Sequence, residues 1–210
     1  PDFYGRNDLR PRLATLTSVA EATRLAAAIE AAPPGTPVVV VGGGYTGVEI
    51  ATQVHRRRQA ESRALPIRVL EAAPDLLGPL PDRVRRYVRR NLDALGILVQ
   101  TGTRVTDLTA DGDLLLSDGT RLPRPLVIWS AGVGAGAWLA GLGVPQGNQG
   151  RVTVDACLRF GEHSFAAGDI AGFTVAGVPL RLGVQAAVTQ GVCAARNLAA
   201  LCQGRSLRPY

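Results

Sequence analysis

Lysine and methionine are both missing from this 210-residue chain, cysteine is rare, and aromatic residues make up only 5%. Without a methionine at position 1, the chain is expected to be an excerpt of a longer protein. The three cysteines, Cys157, Cys193 and Cys202, lack CxxC or any other paired spacing. They read as buried reduced thiols of a cytoplasmic protein, and no metal site is expected. No His/Asp/Ser or Cys/His constellation is visible; His55 and His163 stand alone and read as surface residues. No apolar run approaches the roughly 18 residues that span a bilayer, and no leader pattern is seen. With no lysine, the positive side of the +6 net charge is arginine alone. Its clusters, Arg56 to Arg58 and Arg83, Arg85, Arg86, Arg89 and Arg90, fall on expected helices. They have no interleaved aromatics to stack bases, so they read as solvated helix faces and no nucleic-acid partner is expected.

What is abundant points elsewhere. Hydrophobic residues reach 46% and glycines number 25, which fits a packed α/β protein with a real core. Four consecutive valines, Val38 to Val41, suit a parallel strand buried on both faces. They open into Gly42-x-Gly44-x-x-Gly47 at the head of an expected helix, with Gly43, Tyr45 and Thr46 completing the loop. Gly42 permits the tight turn, Gly44 lets backbone approach a pyrophosphate, and Gly47 lets helix and strand pack closely. The pyrophosphate would rest on unpaired N–H groups at the helix start. A second strand, Ile67 to Leu70, ends in Glu71, where an acid can accept from a ribose 2′-hydroxyl. That carboxylate would repel the 2′-phosphate of NADPH, no cation follows it, and Arg68 is expected to face away. The nucleotide is therefore read as NADH.

Along the chain, Ser18 to Glu21 forms a capping box that should start a helix reaching about Ala31. A third helix, about Asp82 to Leu95, carries Val84, Tyr87, Val88, Leu92 and Leu95 on one face and stops at Gly96. Asp111-Gly112 and Asp118-Gly119 mark the turns of a three-stranded antiparallel meander. A return strand, Leu126 to Trp129, follows, then strand-like Arg151 to Val154 and a final helix from about Gly183 to Leu201.

In this order the motifs resemble the pyridine nucleotide-disulfide oxidoreductase superfamily, and within it the type II NADH dehydrogenases. The residues that carry the resemblance are Val41 to Glu49, Val127 to Val133, Gly150 to Asp155, Phe165 to Ile170 and Gln185 to Gly191. The implied fold is α/β: a Rossmann-like NADH-binding domain with an antiparallel β-meander, plus the second half of a split FAD-binding Rossmann-like domain. Residues 1–35 would be a linker and helix from the FAD domain, 36–133 the NADH domain, and 134–210 the C-terminal FAD half. The first FAD half would lie outside this chain, which alone should be colourless and inactive. Without it, residues 134–210 should be poorly ordered or complete their sheet, strand Phe165 to Ala167 included, through a dimer or a swapped segment.

The resemblance also implies roles. The glycine loop, Glu71, Ala131 and Gly132 would contact NADH, and Glu49 would be the catalytic-site acid near nicotinamide and flavin. Gly168 and Asp169 would hold the ribityl and phosphate part of FAD. Gln185 and Gln190 would line the flavin and quinone side, where Thr189 replaces a glutamine common in the family. The implied activity is hydride transfer from NADH to FAD, with electrons passed on to an acceptor, quinone being favoured. Peripheral contact with the inner face of the membrane and a homodimer are part of the same expectation. A ferredoxin-reductase-like flavoenzyme, or a non-catalytic NADH-binding module, stands as the alternative.

Overall fold

A computed structural model describes residues 3–4, 6–60, 65–78, 80–132, 134–180 and 183–210. Pro1 and Val133, which bound the expected domains, lie outside them. The chain divides into two compact units, Pro1–Gly132 and Val133–Tyr210.

The first unit is built on a four-stranded parallel sheet. Its strands are β1 (Val38–Val41), β2 (Ile67–Leu70), β3 (Leu98–Gln100) and β7 (Leu126–Trp129), in the order β3-β2-β1-β7. All four residues of β1 are buried, as its valine run requires of a central strand covered on both faces. One face packs against helices α1 (Val19–Ala31), α2 (Tyr45–Ala60) and α3 (Asp82–Ala94), through Leu25, Ile29, Ile50, Val54 and Leu92. The other face, with Val39, Val41, Leu70, Val127 and Trp129, is covered by the meander β4 (Val105–Leu108), β5 (Leu114–Leu116) and β6 (Arg121–Leu122). Gly112 and Gly119, at φ 91° and 85°, make the meander's turns as the Asp-Gly pairs foretell.

The chain runs from β1 outward through β2 to β3, then returns to the other side of β1 at β7. That reversal is a topological switch point, and ligands of open α/β sheets bind outside the strand ends at such a place. Here those ends are Gly42 and Ser130.

Leu25 and Ile29 share the core of β1, and Ala14 bridges β7 in parallel. Several side chains differ from expectation. On α3, Leu92 is buried, but Tyr87 is 63% exposed, so the buried face is narrower than the spacing indicates. Arg58 is buried, contrary to a solvated Arg56–Arg58 face, because its guanidinium reaches across to cap the end of α1 at the Ala32 carbonyl, 3.1 Å away. His55 is half-buried on α2 with Nε2 shielded from solvent, whereas His163 is exposed. The thiols of Cys157 and Cys193 are half-buried and Cys202 is exposed, so none is a core thiol.

The capping box forms with one change of partner. Ser18 Oγ accepts from the Glu21 N–H at 3.2 Å, while the Glu21 carboxylate accepts from the Thr17 N–H and hydroxyl at 2.6 Å. The Thr17 hydroxyl, then its N–H, pull the Glu21 pKa from 4.5 down to about 2. A depressed folded-state pKa contributes stability that is full above the ordinary value and lost as pH falls through the folded one. Denaturation of Glu21→Gln beside the parent chain should therefore show a stability gap at pH 7 that closes between about 4.5 and about 2. A gap independent of pH would show that ionised Glu21 is not what holds the cap.

The second unit contains α4 (Val184–Cys202), the hairpin β8 (Thr174–Val175) and β9 (Val178–Pro179), and short 3-10 turns, around a small core of Leu139, Val152, Ala166 and Ala171. The strands expected at Arg151 to Val154 and Phe165 to Ala167 do not form among the described residues. Val152 makes single bridges to Gln146 and Ala171, and Phe165 makes one to Arg159. An isolated strand has no ladder to join, and its polar groups find turn partners instead.

Among the described residues, no helix is long and apolar enough to cross a membrane.

Candidate functional site

The glycine loop sits at the switch point, and its shape is fixed by close contacts. Gly42 has φ 109°, and a Cβ there would come within 2.8 Å of the Ala131 nitrogen. A Cβ on Gly47 would strike the Gly42 carbonyl oxygen and lie 2.9 Å from Ser130 Oγ. Gly43 is crowded by side chains instead, the Leu76 methyl end and the Glu71 side chain. Gly44 differs: a Cβ there would meet nothing within 4 Å. Gly42 and Gly47 must be glycine because backbone fills the space beside them, Gly43 is walled by side chains, and Gly44 faces open space that a ligand can take.

Gly44, Tyr45 and Thr46 are exposed. The N–H groups of Tyr45, Thr46 and Gly47 belong to the first turn of α2, where helix geometry offers no carbonyl acceptor. They present partial positive charge to an anion.

Glu71 follows β2 directly and turns onto the loop. Its Oε2 accepts from the Gly43 N–H at 2.6 Å and Oε1 from the Ala73 N–H at 2.8 Å. These bonds orient the carboxylate, while each oxygen retains a lone pair able to accept a further hydrogen bond. Arg68 is directed away, donating to Gln100 Oε1 at 2.5 Å, and Gln100 in turn donates to Asp118 at 2.7 Å.

The far wall is the end of β7. Ser130 Oγ donates to the Val41 carbonyl at 2.9 Å, tying β7 to the strand that enters the loop. Ala131 touches Gly42, and Gly132 follows at φ 67°. Gly42, Gly43, Gly47, Glu71 and Ala131 therefore converge at one place. Glu49 is exposed in the second turn of α2, one turn further than a first-turn acid would be.

In the second unit, Gly168 and Asp169 form a 3-10 turn against α4. Gly168 has φ 72°, and its Cβ would lie 3.2 Å from that of Ala187. The side chain of Asp169 is exposed, and its carbonyl accepts from Arg151 Nε at 3.0 Å. Burial lowers the pKa of the Arg151 guanidinium, and the charge of Asp169 opposes that shift. Gln185 is exposed, whereas Gln190 is 2% exposed and its Oε1 holds the Gly168 N–H at 2.8 Å. Gln190 is thus a support for the turn. Arg151, within the Gly150 to Asp155 motif, is a second support whose role the sequence does not assign, because its partner appears only when the turn closes on it. Thr189 shares a hydrogen bond with the Tyr210 hydroxyl at 2.7 Å.

Known proteins are similar to this chain in sequence and fold. A demethylphylloquinone reductase of Synechocystis sp. is 33% identical over 82% of this chain and 43% of its own length. A type II NADH:quinone oxidoreductase of Haemophilus influenzae is 28% identical over 82% of this chain and 42% of its own. The crystal structure of a ferredoxin reductase from Rhodopseudomonas palustris superposes with a TM-score of 0.71 at 29% identity, covering 93% of this chain and 47% of that one. The chain thus spans less than half the length of these relatives. Residues 8–191 match the pattern of the pyridine nucleotide-disulphide oxidoreductase family, and the chain belongs to that family.

Proposed function

We propose that this chain binds NADH at the α2 glycine loop and contributes to a flavoprotein oxidoreductase that takes hydride from it. The observation that carries the reading is the loop itself: closed to side chains at Gly42, Gly43 and Gly47, open over Gly44, and flanked by an oriented Glu71 carboxylate. The α2 first turn would hold the pyrophosphate, and Glu71 the ribose. Glu71 also places negative charge where the 2′-phosphate of NADPH would lie.

In the second unit, Gly168, Asp169 and the first turn of α4 fit one part of an FAD site. The exposed Asp169 would accept from a ribityl hydroxyl while Arg151 and Gln190 hold its turn. NADH supplies a hydride and FAD accepts it, which is the cofactors' own chemistry; the protein binds and orients them. The relatives named as quinone reductases support a quinone as final acceptor. The likeness to a ferredoxin reductase supports a ferredoxin-reductase-like flavoenzyme as the second reading.

Hydrogen exchange with and without NADH tests the site. Slowed exchange at the amides of Gly44 to Gly47 is expected. Protection absent there but present elsewhere in the chain would place the nucleotide at another site.

A further inference from the structure

The segment after Glu71 forms a turn whose geometry is costly. Leu77 has φ 53°, the left-handed region that a branched side chain rarely adopts, and it is buried. Such a conformation persists only where its surroundings over-determine it, and it commonly marks a binding or switching element.

Two sets of contacts hold it from opposite sides. Toward the glycine loop, the Leu77 N–H donates to the Gly43 carbonyl at 2.9 Å, and Leu76 presses on Gly43 where a Cβ would otherwise stand. Away from the loop, Arg85 in the first turn of α3 donates to the Gly78 carbonyl at 2.9 Å. The same guanidinium lies 3.4 Å from the Asp75 carboxylate and contacts Asp82. Arg85 is therefore a clamp on both ends of the turn. The turn in turn backs Gly43, whose N–H holds the Glu71 carboxylate.

We infer that Arg85 is a positioning residue for the adenosine half of the dinucleotide, acting through the Leu76–Gly78 turn. The inference rests on the NADH reading above, which puts Glu71 on the adenosine ribose. A planar guanidinium with several donors can grip a carbonyl and a carboxylate together, which an ammonium does less well. Releasing the clamp lets Leu77 relax from its strained backbone, and the wall behind Gly43 shifts with it. Small misplacements of a binding wall have large effects on a ligand that must fit closely.

The test compares the unaltered chain with Arg85→Ala, Arg85→Lys and Arg86→Ala, titrated with NADH, ADP-ribose and reduced nicotinamide mononucleotide, with thermal midpoints measured in parallel. Arg86 serves as control because its side chain is 70% exposed and comes no nearer than 4.0 Å to the Asp82 carboxylate. Arg85→Ala is expected to weaken NADH and ADP-ribose equally, by about tenfold. The mononucleotide, which lacks adenosine, should bind unchanged, Arg85→Lys should fall between, and Arg86→Ala should match the parent. Arg85→Ala binding NADH within about twofold of the parent, or losing the mononucleotide equally, overturns the inference. Should Arg85→Ala not fold, Arg85→Lys carries the comparison, and unchanged ADP-ribose affinity there overturns it too. A parent chain that binds neither NADH nor ADP-ribose overturns the dinucleotide reading itself, and the clamp's role with it.

Discussion

Gly47→Ala is expected to destabilise the first unit by about 3 kcal/mol, the upper end of what overpacking costs, and to abolish dinucleotide binding. The added methyl strikes the Gly42 carbonyl oxygen and crowds Ser130 Oγ. The first of these is backbone and cannot rotate away, so α2 must move off β1 and its first-turn N–H groups move with it. Gly44→Ala is the informative counterpart. Its methyl meets nothing within 4 Å, so stability should change by less than about 1 kcal/mol. Binding should still fall, by roughly a hundredfold, because the methyl occupies space needed by a pyrophosphate lying against backbone. Denaturant titration and NADH titration of both variants separate the two roles. Equal stability loss in both would contradict the assignment of Gly44 to the ligand.

Replacing Glu71 acts on affinity and on choice of nucleotide together. Glu71→Ala removes the acceptor of the Gly43 and Ala73 N–H groups as well as the ribose contact. A hydrogen bond to a charged group contributes about 1.5–3 kcal/mol, so NADH should weaken by roughly ten- to a hundredfold. The same change removes the repulsion of a 2′-phosphate, so NADPH should lose less than NADH or gain. Glu71→Gln keeps an acceptor without the charge and should retain more NADH affinity than alanine. If Glu71→Ala leaves the ratio of the two nucleotides unchanged, the carboxylate does not face the ribose.

Much of the first unit is legible residue by residue, because its elements are set by local rules. Four valines in a row have no amphipathic alternative to a buried central strand, and Asp-Gly pairs at φ near 90° leave few turns available. The glycine spacing reports crowding that later proves real at Gly42 and Gly47. What the sequence leaves open depends on a distant partner. Arg58 looks like its solvated neighbours until the end of α1 arrives to accept its hydrogen bond. Gln185 and Gln190 are the same residue type on one helix, and only the docking of Gly168 distinguishes the exposed one from the buried one. Residues 165–167 have strand composition, but a strand needs a neighbour, and a single bridge to Arg159 is what they obtain. Arg85 belongs to this group as well: its spacing on α3 says surface, while its partners lie in the turn after β2.

In the proposed reading the first unit is an NADH site whose selectivity is set by one oriented carboxylate. Equilibrium titration of the unaltered chain with NADH and NADPH, at one ionic strength and followed by nucleotide fluorescence, tests it most directly. Saturable binding with NADH preferred by at least about tenfold is the predicted result. Equal affinity for the two nucleotides, or binding of neither, would contradict it.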